Sequence, residues 1–189
     1  MPDAIPKTAK MVFQGKIFQV WQWEQKMFDG STEIFEKICR PATIEIIATV
    51  GDKIIIEEQS QPRHKNFISL VSGRQEKGES ALATAKRELL EETGYKSNNW
   101  KLFLKHSGQG KVLHETFYFV AKDCKKAKEQ SLDAGEKIKI KLAGFEEFLA
   151  LTDEPKFWIS PIFINYLLRA RFDQGAKAEL KALLFGGVG

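Results

Sequence analysis

Two cysteines in 189 residues, Cys39 and Cys124, lie far apart with no Cys-x-x-Cys spacing, so reduced thiols in a cytoplasmic protein are expected rather than a disulfide framework or a thiolate metal site. The three histidines, His64, His106 and His114, show neither metal-ligand spacing nor a nucleophilic arrangement with serine and aspartate, and they receive no chemical role. No apolar run reaches the roughly eighteen residues needed to cross a bilayer, and MPDAIPKTAK at the start lacks the apolar stretch of a signal peptide, so neither membrane insertion nor secretion is expected. Internal repeats and low-complexity tracts are absent. The charge is nearly balanced, 29 Lys and Arg against 25 Asp and Glu. Its +4 excess is spread along the chain without a basic arm or tail, which suits a small anionic substrate and makes nucleic acid an unexpected partner.

What is present suffices for one good core: 43% of the residues are hydrophobic and 11% aromatic. Alternating apolar and polar residues predict strands over 11–13, 16–26 and 33–40, with Phe28-Asp29-Gly30-Ser31 as a hairpin turn, giving an N-terminal antiparallel β-meander over 1–41. The remainder, 42–189, reads as one α/β domain. Strands are expected at 43–50 and 53–58, joined by Gly51-Asp52, and at 66–71. Further strands follow at 100–106, 116–121 and 137–142, with the glycine loop Ser107-Gly108-Gln109-Gly110 between the first two. Helices are expected over 81–93, 144–151 and within 161–184. Strands flanked by helices in this order give an α/β/α sandwich on a mixed sheet.

The most informative stretch is 73–95, GRQEKGESALATAKRELLEETGY. Ser80 caps its helix and Gly94 supplies the left-handed residue that ends it. Leu82, Ala85 and Leu89 fall on one side to meet a core, while Glu88, Glu91 and Glu92 gather on another at i, i+3 and i+4. Three like charges on one face repel by a few tenths of a kcal/mol per pair, which is tolerable in water and useful around a cation. Hard carboxylate oxygens without histidine or cysteine suit Mg²⁺ or Mn²⁺ rather than zinc. Arg87 is expected to pair with Glu79 and hold the loop to the helix, beside the cluster without pointing into it. Gly73 is expected to permit a tight turn that presents a main-chain carbonyl, that of Ser72, to the cation.

Written as a pattern, Gly73, five residues, Glu79, seven residues and Arg87-Glu88-Leu89-Leu90-Glu91-Glu92-Thr93-Gly94 resembles the signature of the Nudix hydrolases at every fixed position. The resemblance implies that same sandwich fold and Mg²⁺-dependent pyrophosphate hydrolysis, with two or three ions held by Glu88, Glu91 and Glu92. Outside the signature, the meander, the phrase GKIFQV, the run EEQSQPR and the terminal helices resemble the branch that cleaves ADP-ribose and other nucleoside diphosphate sugars. That similarity implies a homodimer in which the meander, 1–41, helps hold the base. It also implies a catalytic base, or a further metal ligand, on a mobile loop beyond the signature helix. Glu136 and Glu115 both fit, and Glu136 is preferred. Three departures bear on the preferred sugar. Ser69-Leu70-Val71-Ser72-Gly73 stands where many members read Glu-x-Pro-Ala-Gly, which removes a carboxylate near the metals. The glycine loop lacks the proline of a Ser-Pro-Gly run. Gln61 stands at a branch arginine, with Arg63 close by.

In the implied reaction a water attacks one phosphorus, a carboxylate takes its proton, and a nucleoside monophosphate and a sugar phosphate leave. Arg40 and Arg63, at strand ends, are candidates to grip phosphate, against solvated arginines as the plain reading. Gly108 is a candidate for close approach to substrate. Trp21 and Trp23 share a strand face, where core or dimer-seam packing is expected over base stacking. Rival functions are a Nudix hydrolase of dinucleoside polyphosphates, nucleoside triphosphates or RNA 5′ ends, and a non-catalytic nucleotide-binding module. The second has no need of the carboxylates found here.

Overall fold

Period-two alternation builds the first sheet. In the computed structural model, which describes residues 5–108 and 110–186, strands β1 (Lys10–Gln14), β2 (Gln19–Lys26) and β3 (Thr32–Cys39) form an antiparallel meander. The strand expected from residue 16 begins at Gln19, because Gly15 N–H donates to the Phe18 carbonyl at 2.7 Å and turns the chain first. At the β2–β3 turn the Asp29 carboxylate accepts from the Ser31 N–H and hydroxyl at 2.9 and 2.6 Å, a side-chain mimic of a backbone turn.

The rest of the chain runs β4 (Thr43–Val50), β5 (Lys53–Gln61), β6 (His64–Ser69), β7 (Val71–Arg74), α1 (Ala81–Thr93), β8 (Tyr95–Lys96) and β9 (Asn99–Ser107). It continues through β10 (Val112–Leu113), β11 (Glu115–Lys122), β12 (Lys125–Lys126), β13 (Lys137–Ala143), α2 (Phe145–Ala150), a 3₁₀ turn (Leu151–Asp153), α3 (Pro161–Phe172) and α4 (Gln174–Phe185). The strand expected over 66–71 is two strands. β6 pairs with β5 and β7 pairs with β4. The change of partner falls at Leu70, which drops into the core beneath the C-terminal helices, while Val71 packs in the core beneath α1. The expected glycine loop links β9 to β10, and its Gln109 lies outside the described residues, as do residues 1–4.

The central sheet runs β13-β5-β4-β11-β9, antiparallel throughout except for the parallel β4–β11 pair. Two apolar cores lie on its faces. Ile44, Ile46, Ile55 and Phe119 meet Ala85 and Leu89 of α1, and Ile47, Ile54, Ile56 and Tyr118 meet Phe148, Phe163, Leu167 and Leu180 of the C-terminal helices. Each fully buried side chain of this size stabilises the fold by about 1.5–3 kcal/mol. The result is the α/β/α sandwich on a mixed sheet. Strand β10 adds in parallel to β3 and ties the N-terminal sheet to the rest by backbone hydrogen bonds. Among the described residues no helix is long and apolar enough to cross a membrane.

Candidate active site

Helix α1 is placed by its caps. The Ser80 hydroxyl accepts from the Ala83 N–H at 3.2 Å, and Gly94 ends the helix at φ 71° with its N–H on the Leu90 carbonyl. Gly94 is required twice over, since a Cβ there would also stand 2.1 Å from the Lys128 carbonyl oxygen. That close approach holds the segment after β12 against the end of α1. Ala127 N–H donates to the Gly94 carbonyl and Ser131 N–H to the Glu91 carbonyl, both at 2.8 Å. Gln130 reaches the Glu92 carbonyl at 2.5 Å. The loop that ends in Glu136 is thereby carried back over the acidic face of the helix.

Arg87 is the hub of the loop before the helix. Its Nε donates to Glu79 Oε1 at 3.0 Å and its Nη2 to Glu79 Oε2 at 3.1 Å, a bidentate pair that holds the Glu79 carboxyl down at about 2. The Thr84 hydroxyl adds a bond to Glu79 at 2.7 Å. Contrary to the expectation that Arg87 stands aside from the cluster, its Nη1 donates to Glu88 at 2.8 Å and to Glu91 at 3.1 Å. A planar guanidinium offers donors on both edges, so one side chain clamps the loop and neutralises two helix carboxylates at once.

Gly73 also has a different reason than expected. It lies within β7, away from the left-handed region, and a Cβ there would fall 2.0 Å from the Glu88 carboxyl carbon. The glycine makes room for a carboxylate rather than for a turn. Next to it, the Ser72 N–H donates to Glu92 Oε2 at 3.2 Å.

These groups line one cleft of about 460 Å³, which gathers Ser72, Gly73, Arg87, Glu88, Glu91, Glu92 and Glu136 with Arg40, Thr43, Gln59 and Gln61. Glu92 is 5% exposed, and burial, then the nearby charges of Glu57, Glu88 and Glu136, push its carboxyl well above the usual range. Burial likewise pushes Glu88 up to about 7, against the pull of Arg87. Glu136 is raised too, mainly by burial, although it accepts from the Asp133 N–H at 3.3 Å. Arg40 enters from the end of β3 with its Nε buried and, among the described residues, without a hydrogen-bond partner. Its Nη2 reaches the Thr43 hydroxyl at 3.4 Å, and that hydroxyl meets His114 Nε2 at 2.9 Å.

The other sequence candidates lie elsewhere. Glu115 forms an ion pair with Lys105 at 2.6 Å and is not among the residues lining the cleft. Arg63 is exposed at the β5–β6 turn, and Gly108 packs against the backbone of Val112 and His114. Trp21 and Trp23 donate to Gln19 and Gln25 within their own strand at 3.2 and 3.1 Å. Two carboxylates escaped the sequence reading. Glu57 on β5 is wholly buried, and Glu45 on β4, flanked by Ser72 and Tyr118 on neighbouring strands, is pushed up by burial to about 8. The signal for Glu57 was in view, because a carboxylate directly after three isoleucines in a central strand is out of place in an apolar run.

The donor set fits a hard divalent cation. It is all oxygen and crowded, and Arg87 is the cation that pairs directly with Glu88 and Glu91. Among the described residues no three side chains already stand in ligating array about one point. Glu88 and Glu91 lean toward the Arg87 guanidinium instead.

Fold, signature and cleft together define a family, and the NUDIX domain model matches residues 40–161. The chain belongs to the Nudix family and carries the complete signature of its pyrophosphohydrolases, in the likeness of the ADP-ribose pyrophosphatase branch. Among its relatives, the methanol dehydrogenase activator of Bacillus methanolicus is 27% identical over 169 residues, which is 85% of this chain and 91% of that protein. The ADP-ribose pyrophosphatase of Bacillus subtilis (strain 168) is 24% identical over 148 residues, 76% of this chain and 80% of that one. A crystal structure of an ADP compounds hydrolase superposes with a TM-score of 0.72 at 20% identity, covering 93% of this chain and 95% of that one.

Proposed function

We propose that this protein is a Mg²⁺-dependent pyrophosphatase of nucleoside diphosphate sugars, ADP-ribose foremost, that releases a nucleoside monophosphate and a sugar phosphate. The observation that carries the reading is the meeting of Glu88, Glu91, Glu92 and Glu136 with Arg40 and Gln61 in one cleft. Support for the substrate class comes from the Bacillus subtilis relative, itself an ADP-ribose pyrophosphatase.

Bound Mg²⁺, or Mn²⁺ in its place and two or three ions in all, would neutralise the diphosphate and acidify water. Glu88, Glu91 and Glu92 would hold those ions with the Ser72 carbonyl. Arg40, which lines the cleft, offers its guanidinium to a phosphoryl oxygen, and Gln61 a side-chain amide. Glu136 accepts the proton of the attacking water as its oxygen bonds to phosphorus and the bridging P–O bond breaks. A carboxyl raised by burial is the better base near neutral pH. Residues 1–41 serve as the dimerisation and base-binding element and 42–189 as the catalytic domain, working as a homodimer in the cytoplasm.

The test is phosphatase-coupled phosphate release from ADP-ribose, ADP-glucose, GDP-mannose, UDP-glucose, diadenosine polyphosphates and nucleoside triphosphates, with Mg²⁺ and with chelator. Metal-dependent turnover concentrated on the sugar diphosphates is expected. Turnover confined to triphosphates or dinucleotides would overturn the substrate class, and none with any compound would overturn the enzymatic reading.

A further inference from the structure

Strand β5 brings beneath the cluster a carboxylate that the helix signature does not contain. Glu57 is 0% exposed. Its Oε2 accepts from Gln59 Nε2 at 3.3 Å, while its Oε1 has no hydrogen-bond partner among the described residues. An unsatisfied buried carboxylate oxygen is destabilising unless the group stays protonated or a cation meets it. Glu57 shares a strand face with Ile55, which packs in the core with Ala85 and Leu89, so its side chain is on the α1 side of the sheet. The charges that bear on it are those of Glu136, Glu45 and Glu88, and Glu57 heads the charges that bear on Glu92. All are acidic.

Its register is equally specific. Glu57 pairs directly across from Ser69, and directly opposed residues project to one face with Cβ atoms about 5 Å apart. Ser69 is the position at which the resembled branch carries the glutamate of Glu-x-Pro-Ala-Gly. Gln59 bridges the two, donating to Ser69 Oγ at 2.5 Å as well as to Glu57, and Gln59 itself lines the cleft. A carboxylate absent from β6 thus has a counterpart one strand over, at the same level and on the same face.

We infer that Glu57 is a further carboxylate of the cation site, one that with Glu88 and Glu92 would hold a divalent ion through its unpartnered Oε1 and so stand in from β5 for the acid missing at Ser69. The inference rests on reading the cluster as a divalent-cation site.

The experiment is Mn²⁺ titration, with free Mn²⁺ followed by electron paramagnetic resonance, on the wild type, Glu57→Gln and the double variant Glu57→Gln/Ser69→Glu, alongside melting temperatures in chelator. Glu57→Gln is expected to bind Mn²⁺ at least tenfold more weakly and to melt no lower, since the amide keeps the Gln59 contact and removes an acid from a crowded site. Ser69→Glu in that background is expected to recover most of the affinity. A Glu57→Gln protein that binds Mn²⁺ within twofold of wild type overturns the role of Glu57 and leaves the cation site standing. Weak binding with a lowered melting temperature and no recovery in the double variant also overturns it, as loss of fold. A wild type that binds no Mn²⁺ overturns the cation site itself.

Discussion

Substituting Gly73 by alanine separates the needs of the fold from those of the site. The new methyl carbon would lie 2.0 Å from Cδ and Oε1 of Glu88 and 2.3 Å from its Cγ, whereas carbon atoms rest at about 3.5 Å. Glu88 must therefore retreat by about 1.5 Å. It is the far end of a side chain beside an open cleft that yields, rather than the backbone of β7. Alanine is compatible with the strand, because residue 73 is outside the left-handed region, and loss of glycine freedom in the unfolded chain stabilises by about 0.4–1 kcal/mol. Weakening the partly exposed Arg87–Glu88 pair costs about 0–1 kcal/mol. Net stability should stay within about 1 kcal/mol of wild type, whereas a displacement near 1 Å among reacting groups lowers rate on the order of 100-fold. The assays are thermal melting and phosphatase-coupled phosphate release from ADP-ribose with saturating Mg²⁺. A Gly73→Ala protein with wild-type turnover would refute the reasoning, as would one destabilised by more than about 3 kcal/mol, which would mean that the strand moved instead.

Glu92→Gln should abolish most turnover while melting in chelator at or above the wild-type temperature, because it removes a buried acid but keeps an acceptor for the Ser72 N–H; measurable activity near wild type would remove Glu92 from the ligand set. Without metal, stability should fall as pH rises. Glu88 is raised from 4.5 to about 7, so the folded state holds its proton more tightly, and that contribution is full below about pH 4.5 and lost as pH passes through 7. The loss is on the order of 2 kcal/mol after solvent screening. Urea unfolding at pH 5 and pH 8 should show it, and saturating Mg²⁺ should flatten or reverse the slope. Glu136→Gln should lower kcat far more than it changes KM, and Glu115→Gln, which breaks a surface pair with Lys105, should move neither; the opposite pattern in steady-state kinetics would transfer the proton-accepting role to Glu115.

Local features were legible in the chain and long-range ones were not. Ser80, Gly94 and the spacing of Ala85 and Leu89 are short-range signals, and α1 spans Ala81–Thr93 as they require. The signature likewise identified the family, because its fixed positions lie within 22 residues of each other, from Gly73 to Gly94. Strand partners depend on contacts far apart in sequence. The switch at Leu70 from β5 to β4, the addition of β10 to the N-terminal sheet and the arrival of Glu57 beneath Glu92 all turn on pairings that no local pattern encodes. The reach of Arg87 into the cluster was hidden for a related reason. Its Glu79 partner was evident from spacing, but a guanidinium with five donors satisfies several acceptors, and which ones depends on where β7 sets Glu88.

The most direct measurement is the turnover of ADP-ribose by protein stripped of metal and then reconstituted, with products resolved by chromatography. No hydrolysis is expected in chelator, and AMP and ribose 5-phosphate in equal amounts are expected on adding Mg²⁺. Undiminished hydrolysis in chelator would contradict the assignment of the buried carboxylates to a cation site, and an inert protein in Mg²⁺ or Mn²⁺ would contradict the hydrolysis of this substrate.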